Sequence, residues 1–239
     1  MADSREASEL FWVEPRSRAI IPLDKFHMSR SLRRTLRSGL FTVTMDRDFS
    51  GVISACAERE ETWINADIES AMLTLHASGH AHSIEVWSSS ELVGGLYGVK
   101  LGRAFFGESM FSRKTDASKV ALAWLVARMK AGGYSLLDCQ FMTSHLASLG
   151  AVSISRKAYV ALLSGALGGG AGVGGAGSVA GAPVAGGSAA APVAGSAAGA
   201  APPVAPDLFA LDRLLEATGA AGSAGAEGYV IAQLLGQTS

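Results

Sequence analysis

The stretch from Glu91 to Tyr159 constrains the fold of this chain more than any other. Glu91-Leu-Val-Gly-Gly-Leu-Tyr-Gly-Val99 alternates in the manner of a strand. Phe105-Phe-Gly-Glu-Ser-Met-Phe-Ser-Arg113 sets one acid, Glu108, among aromatics and methionine, and Leu136-Leu-Asp-Cys-Gln-Phe141 reads as a buried strand that carries Asp138 and Gln140. A buried polar group without a partner costs ~1–3 kcal/mol, so a fold that retains these three must satisfy them. Asp138 and Gln140 are two apart, and on a regular strand their side chains share one face. Function is expected where that tension lies.

The preceding residues supply strands, helices and charge. Pro15 and Pro22 bracket a short strand, because proline is tolerated at strand ends and not in central ladders. Ser29 or Ser31 is placed to cap a helix with Leu32 and Leu36 inward and Arg30, Arg33, Arg34 and Arg37 outward. Between Glu14 and Arg37 the cations Arg16, Arg18, Lys25, Arg30, Arg33, Arg34 and Arg37 face only Glu14 and Asp24. Such a face is either a solvated helix surface or a phosphate-binding one, where arginine forks grip backbone oxygens. Phe41 to Met45 alternates as a strand, Asp48 to Ala57 has helical spacing, and Ile68 to Ser78 forms a helix ended by Gly79. Glu58 to Asn65 reads as a polar loop that delivers Trp63, either to the core or as a platform for stacking a base.

His80 to Trp87 pairs with Leu92 to Val99, a helix spans Ala117 to Ala131 up to Gly132-Gly133, and a strand follows at Leu136. The order is β-β-α-β, with helical stretches at Ser144 to Leu149 and Lys157 to Leu163. His80 and His82 share a face, but no third ligand is near in sequence, and no metal site is expected. Cys56 and Cys139 lie far apart with no Cys-x-x-Cys spacing, which suits a reducing cytoplasm. The formal net charge of −1 selects no partner, and Met1-Ala-Asp-Ser-Arg-Glu lacks the pattern of a signal peptide. No run of about twenty apolar residues is present, so no membrane span is expected. Residues 165–206 are Gly, Ala, Ser, Val and Pro in near-repetition, too poor in large apolar groups to offset their ordering entropy, and are expected to be a flexible linker. Beyond it Leu208 to Ala217 reads as an amphipathic helix, and Tyr229 to Leu235 as a strand or helix returning to the domain.

Several of these segments, in order, resemble a known family. Glu61-Thr-Trp-Ile, Gly79-His-Ala-His-Ser-Ile-Glu-Val-Trp87, Leu92-Val-Gly-Gly-Leu-Tyr-Gly-Val99, Gly107-Glu-Ser-Met-Phe-Ser112, Ala117-Ser-Lys119, Leu137-Asp-Cys-Gln140 and His145-Leu-Ala-Ser-Leu-Gly150 are similar to leucyl/phenylalanyl-tRNA–protein transferases, from about Phe11 to Leu163. The resemblance implies transfer of leucine or phenylalanine, with methionine as a further candidate, from aminoacyl-tRNA to proteins that begin with arginine or lysine. The product is an N-terminal degradation signal in bacteria. It implies a cytoplasmic, monomeric enzyme without cofactor. The implied fold is α+β, mixed α/β, with a GNAT-like acyltransferase domain at 16–164 built on a largely antiparallel sheet flanked by helices.

By the same resemblance Asp138, Gln140 and Glu108 form the polar centre. Gln140 orients the amine or carbonyl, Asp138 supports it or relays the proton, and Glu108 holds the terminal adenosine or the aminoacyl amine. Leu96, Phe105, Met110, Leu122, Leu125 and Leu137 match the side-chain pocket, Trp63 the adenosine platform, and Arg30, Arg33, Arg34 and Arg37 the tRNA-binding region. Leu125 stands where an aromatic is usual. Residues 1–15 match only a remnant of the family's smaller N-terminal domain, expected to be mostly missing, and 207–239 a segment packing on the catalytic domain. Two other functions fit the residues. One is a GNAT-like transferase with another acyl donor or acceptor, and the other is a non-catalytic tRNA- or protein-binding module.

Overall fold

The two prolines frame the first strand. The computed structural model, which describes residues 13–58, 62–168 and 204–236, places β1 at Ser17–Ile21 between them. Helix α1 (Arg30–Arg37) follows, with the Ser29 hydroxyl accepting from the Leu32 N–H at 3.1 Å and Leu32 and Leu36 buried. Strand β2 (Thr42–Met45) leads to α2 (Phe49–Ala57), capped by Asp48, and to α3 (Ala66–Ala77), capped by Asn65. Each cap satisfies a backbone N–H that the first helical turn leaves free.

Strands β3 (Ala81–Ser88), β4 (Glu91–Leu101) and β5 (Ala104–Ser112) form an antiparallel meander. The sequence predicts only the first two as strands, because the acid in β5 and its irregular register break the alternation. Helix α4 (Ala117–Ala131) then crosses to β6 (Leu136–Gln140), which pairs parallel with β5. A short helix, α5 (Ser144–Ser148), precedes β7 (Val152–Ser155) and α6 (Arg156–Ala166). Beyond the tract come α7 (Ala210–Ala217) and α8 (Ala224–Gly236).

The seven strands lie in the order β2-β3-β4-β5-β6-β1-β7, antiparallel except at β5–β6. Side-chain alternation divides the core. Leu96, Phe105 and Leu137 face the layer of α4, whereas Ala104 and Leu136 pack with Ala166 of α6, and Tyr97 and Phe111 with α2 and α3. Helix α4 is apolar around nearly its whole circumference because α1, α7 and α8 cover the side turned from the sheet. Leu208, Leu211, Leu215, Ile231 and Leu235 belong to the same apolar cluster as α4. The Arg128 guanidinium, on α4, donates to both carboxylate oxygens of Asp212 at 2.8 and 2.6 Å and to the Leu208 carbonyl at 3.0 Å.

Residues 1–12 and 169–203, which hold most of the expected N-terminal remnant and linker, lie outside the described residues. Of the two strand histidines, His82 binds Asp46 through Nδ1 at 2.7 Å, and His80 contacts the Ser78 hydroxyl at 3.1 Å. Among the described residues no group of three ligand-type side chains is placed to hold a metal, and no helix is long and apolar enough to cross a membrane.

Candidate active site

The site opens where two parallel strands part. The β5–β6 ladder ends at Phe106 and Asp138, while β5 continues to Ser112. Just beyond that point the β4–β5 register jumps from Gly98–Gly107 to Tyr97–Ser109, which leaves Glu108 as an extra residue. A bulge of this kind bends its strand and re-aims a side chain. On β6, Gln140 has φ of 64°, a left-handed conformation that turns the chain out of the sheet. A cavity of about 430 Å³ lies between the two irregularities, within the usual range for a small-ligand site.

The three predicted polar residues are close together, but they do not share one face. Asp138 is fully buried, and its carboxylate accepts from Arg18 at 2.5 Å, from the Tyr159 hydroxyl at 2.7 Å and from the Gln140 N–H at 2.7 Å. It does not line the cavity, which corrects the expectation that it stands beside Gln140. The left-handed turn at Gln140 is the reason, because it redirects the second side chain. The Gln140 carboxamide instead donates to Glu108 Oε2 at 2.8 Å, and both residues line the cavity.

Burial raises the Glu108 carboxyl pKa above its ordinary value. The Gln140 hydrogen bond pulls it down, the Asp138 charge pushes it up and the more distant Arg18 offsets part of this, for a net rise. Burial outweighs any other single influence on the Arg18 guanidinium and acts to lower it, but its hydrogen bond and attraction to Asp138 raise it overall.

Leu96, Met110, Leu122, Leu125 and Leu137 form the apolar walls. Phe105 does not reach the cavity. It lies in the layer beneath, 1% exposed, with its ring edge against Gly98, where an added Cβ would sit 2.5 Å from Cε1. Trp63 stands at the rim, half-buried and packed against the α2–α3 cluster. The sequence reading missed Arg18 and Tyr159, whose contacts with Asp138 span 120 and 21 residues of chain. It also gave no role to Cys139 or His145, both on the cavity wall. Burial, aided by the Asp138 charge, pushes the Cys139 thiol up to about 12, so it stays protonated. Burial and nearby Lys119 lower the His145 pKa.

Arg30, Arg33, Arg34 and Arg37 are not part of this cavity. They are exposed on α1, where they and Ser38 line a separate depression of about 470 Å³. None of the four pairs with a carboxylate among the described residues.

Residues 20–164 match the family model described as leucyl/phenylalanyl-tRNA protein transferase. The chain belongs to this family. A leucyl/phenylalanyl-tRNA–protein transferase of Rhizorhabdus wittichii is 57% identical over 244 residues, covering 100% of this chain and 92% of the relative. One from Zymomonas mobilis is 60% identical over 171 residues, covering 70% of this chain and 64% of the relative. One from Ruegeria pomeroyi is 57% identical over 171 residues, covering 72% and 81%. Among solved structures, L-PGS from Bacillus licheniformis is 16% identical, covers 55% of this chain and 50% of its own, and superposes with a TM-score of 0.38. The transferase family thus spans the strands, bulge and cavity described above.

Proposed function

We propose that the chain transfers leucine or phenylalanine, with methionine as a further substrate, from aminoacyl-tRNA to the N-terminal arginine or lysine of proteins. The observation that carries this reading, beyond family membership, is the Glu108–Gln140 couple at the edge of an apolar cavity of side-chain size. The reaction is aminolysis of an ester. The acceptor nitrogen attacks the ester carbonyl carbon, the carbon–oxygen bond to the terminal ribose breaks, and one proton passes from the amine to the departing oxygen. Glu108 is the proton acceptor in this reading, because it is the carboxylate that lines the cavity and its raised pKa favours proton capture. The Gln140 carboxamide orients Glu108 and the amine. Asp138, buried and fully engaged, is a positioning residue that fixes the Gln140 backbone.

Leu96, Met110, Leu122, Leu125 and Leu137 receive the aminoacyl side chain. Such a pocket discriminates by only ~1–3 kcal/mol per methylene, which is why methionine enters the proposal. Trp63 stacks the terminal adenosine, and the four arginines of α1 contact acceptor-stem phosphates. A GNAT-like catalytic domain over 16–164, working as a cytoplasmic monomer, completes the reading. Its support is the antiparallel meander, the crossing helix and the parallel strand that parts from β5. Incubation with tRNA charged with labelled leucine and a peptide beginning with arginine should move label into the peptide. Bulk uncharged tRNA should compete and coenzyme A should not; no transfer by the wild-type chain would overturn the assignment.

A further inference from the structure

A bisubstrate transferase needs a place for its second substrate beside the first, and the transfer reading above leaves that place unassigned. A second cavity of about 380 Å³ shares Met110 and His145 with the ester cavity, so the two lie side by side across these residues. Strand β5 runs along both, from Glu108 through Met110 to Phe111 and Ser112. At ~3.3 Å per residue, Phe111 lies ~10 Å from Glu108, the scale of one amino-acid residue with a long side chain.

The wall of this second cavity already holds a guanidinium. Arg113 donates to Glu58 Oε2 at 2.7 Å and to the Leu92 carbonyl at 3.1 Å, and its guanidinium carbon lies 5.3 Å from the centre of the Phe111 ring. A carboxylate beside an aromatic face is a cation cradle. The Arg113–Glu58 pair is exposed, at 43% and 62%, and an ion pair in water holds its partners only weakly. An incoming guanidinium or ammonium therefore exchanges with Arg113 at little cost. Among the described residues, Glu58 is the carboxylate that lines the cavity. Asp116 is tied to Lys119 at 2.8 Å, and burial together with Lys119 disfavours the charged form of His145. A nucleotide phosphate fits this wall less well, because it would approach Glu58 while Arg113 is already neutralised.

We propose that the second cavity receives the first residue of the acceptor polypeptide, its cationic side chain against Glu58 and Phe111 and its α-amine reaching back past Met110 towards Glu108. The proposal rests on the transfer reading but is tested apart from it. Binding of a short peptide beginning with arginine to the full chain is measured by calorimetry, beside a matched peptide beginning with alanine. Steady-state KM values are measured for the peptide and for leucyl-tRNA.

Glu58→Gln should weaken the arginine peptide about three- to fivefold in both Kd and KM, the scale of one solvent-exposed ion pair. It should leave kcat, the KM for leucyl-tRNA and the alanine peptide unchanged. Arg113→Ala should tighten the arginine peptide by removing its internal competitor. Unchanged peptide affinity in Glu58→Gln overturns the proposal, as does a rise in the KM for leucyl-tRNA alone, which would give the cavity to the tRNA end. The binding arm decides the matter even if no turnover is seen, so failure of the transfer reading remains distinguishable.

Discussion

Glu108 and Asp138 are both carboxylates, and their surroundings give them different work. Asp138 is enclosed by three donors and does not line the ester cavity, whereas Glu108 lines it and accepts one amide hydrogen bond. Because the Glu108 pKa is raised, its proton-accepting form is lost at a higher pH than for an ordinary carboxyl group. The acidic limb of kcat/KM should therefore lie above the usual carboxylate range, and Glu108→Gln should abolish that limb while reducing kcat ~10²-fold. The sign for stability is opposite. A carboxyl whose folded pKa exceeds its unfolded one stabilises below the unfolded value and loses that contribution as pH rises through the folded value. Glu108→Gln should thus melt higher than wild type at neutral pH, as thermal denaturation at pH 4 and 7 would show. Gln140→Ala should cost ~10²-fold in kcat with little change in Tm, since alanine inherits the same left-handed backbone. Arg18→Ala should cost ~3 kcal/mol in denaturant unfolding, because it strands a buried charge. The residue types of this site were legible in the sequence, since an acid and an amide inside apolar strands announce themselves. Their division was not. It depends on a left-handed φ at Gln140, a bulge at Glu108 and an arginine 120 positions from its partner, and none of these leaves a local periodic signal.

At the scale of elements, α1 carries the arginines and α8 carries α1. Gly228 of α8 lies against the Leu36 carbonyl so closely that a Cβ would collide with backbone, and Tyr229 lies under the Arg37 guanidinium at 4.8 Å. Alanine is favoured over glycine in a helix by ~1 kcal/mol, yet here the collision dominates, so Gly228→Ala should lower stability by ~1–3 kcal/mol. A rise in Tm would show that the helices separate easily. The arginines themselves should act through phosphate. Arg33→Ala/Arg34→Ala should flatten the plot of log affinity for tRNA against log salt by about 1 for each phosphate no longer neutralised, and an unchanged slope would free α1 of that role. Helices α1, α2 and α4 and the β3–β4 hairpin were legible because apolar spacing and caps coincide. Strand β7 was not, because it is an edge strand with mostly exposed side chains and no alternation to read. For residues 229–235 the short apolar run left strand and helix open. Packing on α1 and α4 decides for helix.

At the scale of the whole molecule, the question is how residues 204–236 are held on a domain whose sheet lies earlier in the chain. Apolar packing supplies most of the area, and Arg128 supplies the registration, because its buried guanidinium reaches Asp212 and the Leu208 carbonyl at once. Lys130 adds a hydrogen bond from the same helix to the Leu234 carbonyl at 3.1 Å. Arg128→Met keeps much of the side chain's bulk while removing every donor, leaving Asp212 half-exposed and the Leu208 carbonyl without its partner. The expected loss is ~2 kcal/mol, less than for a fully buried pair because Asp212 can be hydrated. Its distribution is the more telling result. Amide exchange should quicken in α7 and α8 and also in α1, which rests on α8, while β3, β4 and β5 keep their protection. A loosened α1 would then bind tRNA more weakly, so the KM for aminoacyl-tRNA should rise with kcat at saturation unchanged. Faster exchange confined to α7 would show instead that α1 is held by its own core residues, Leu32 and Leu36, and that the C-terminal helices do not support the basic surface.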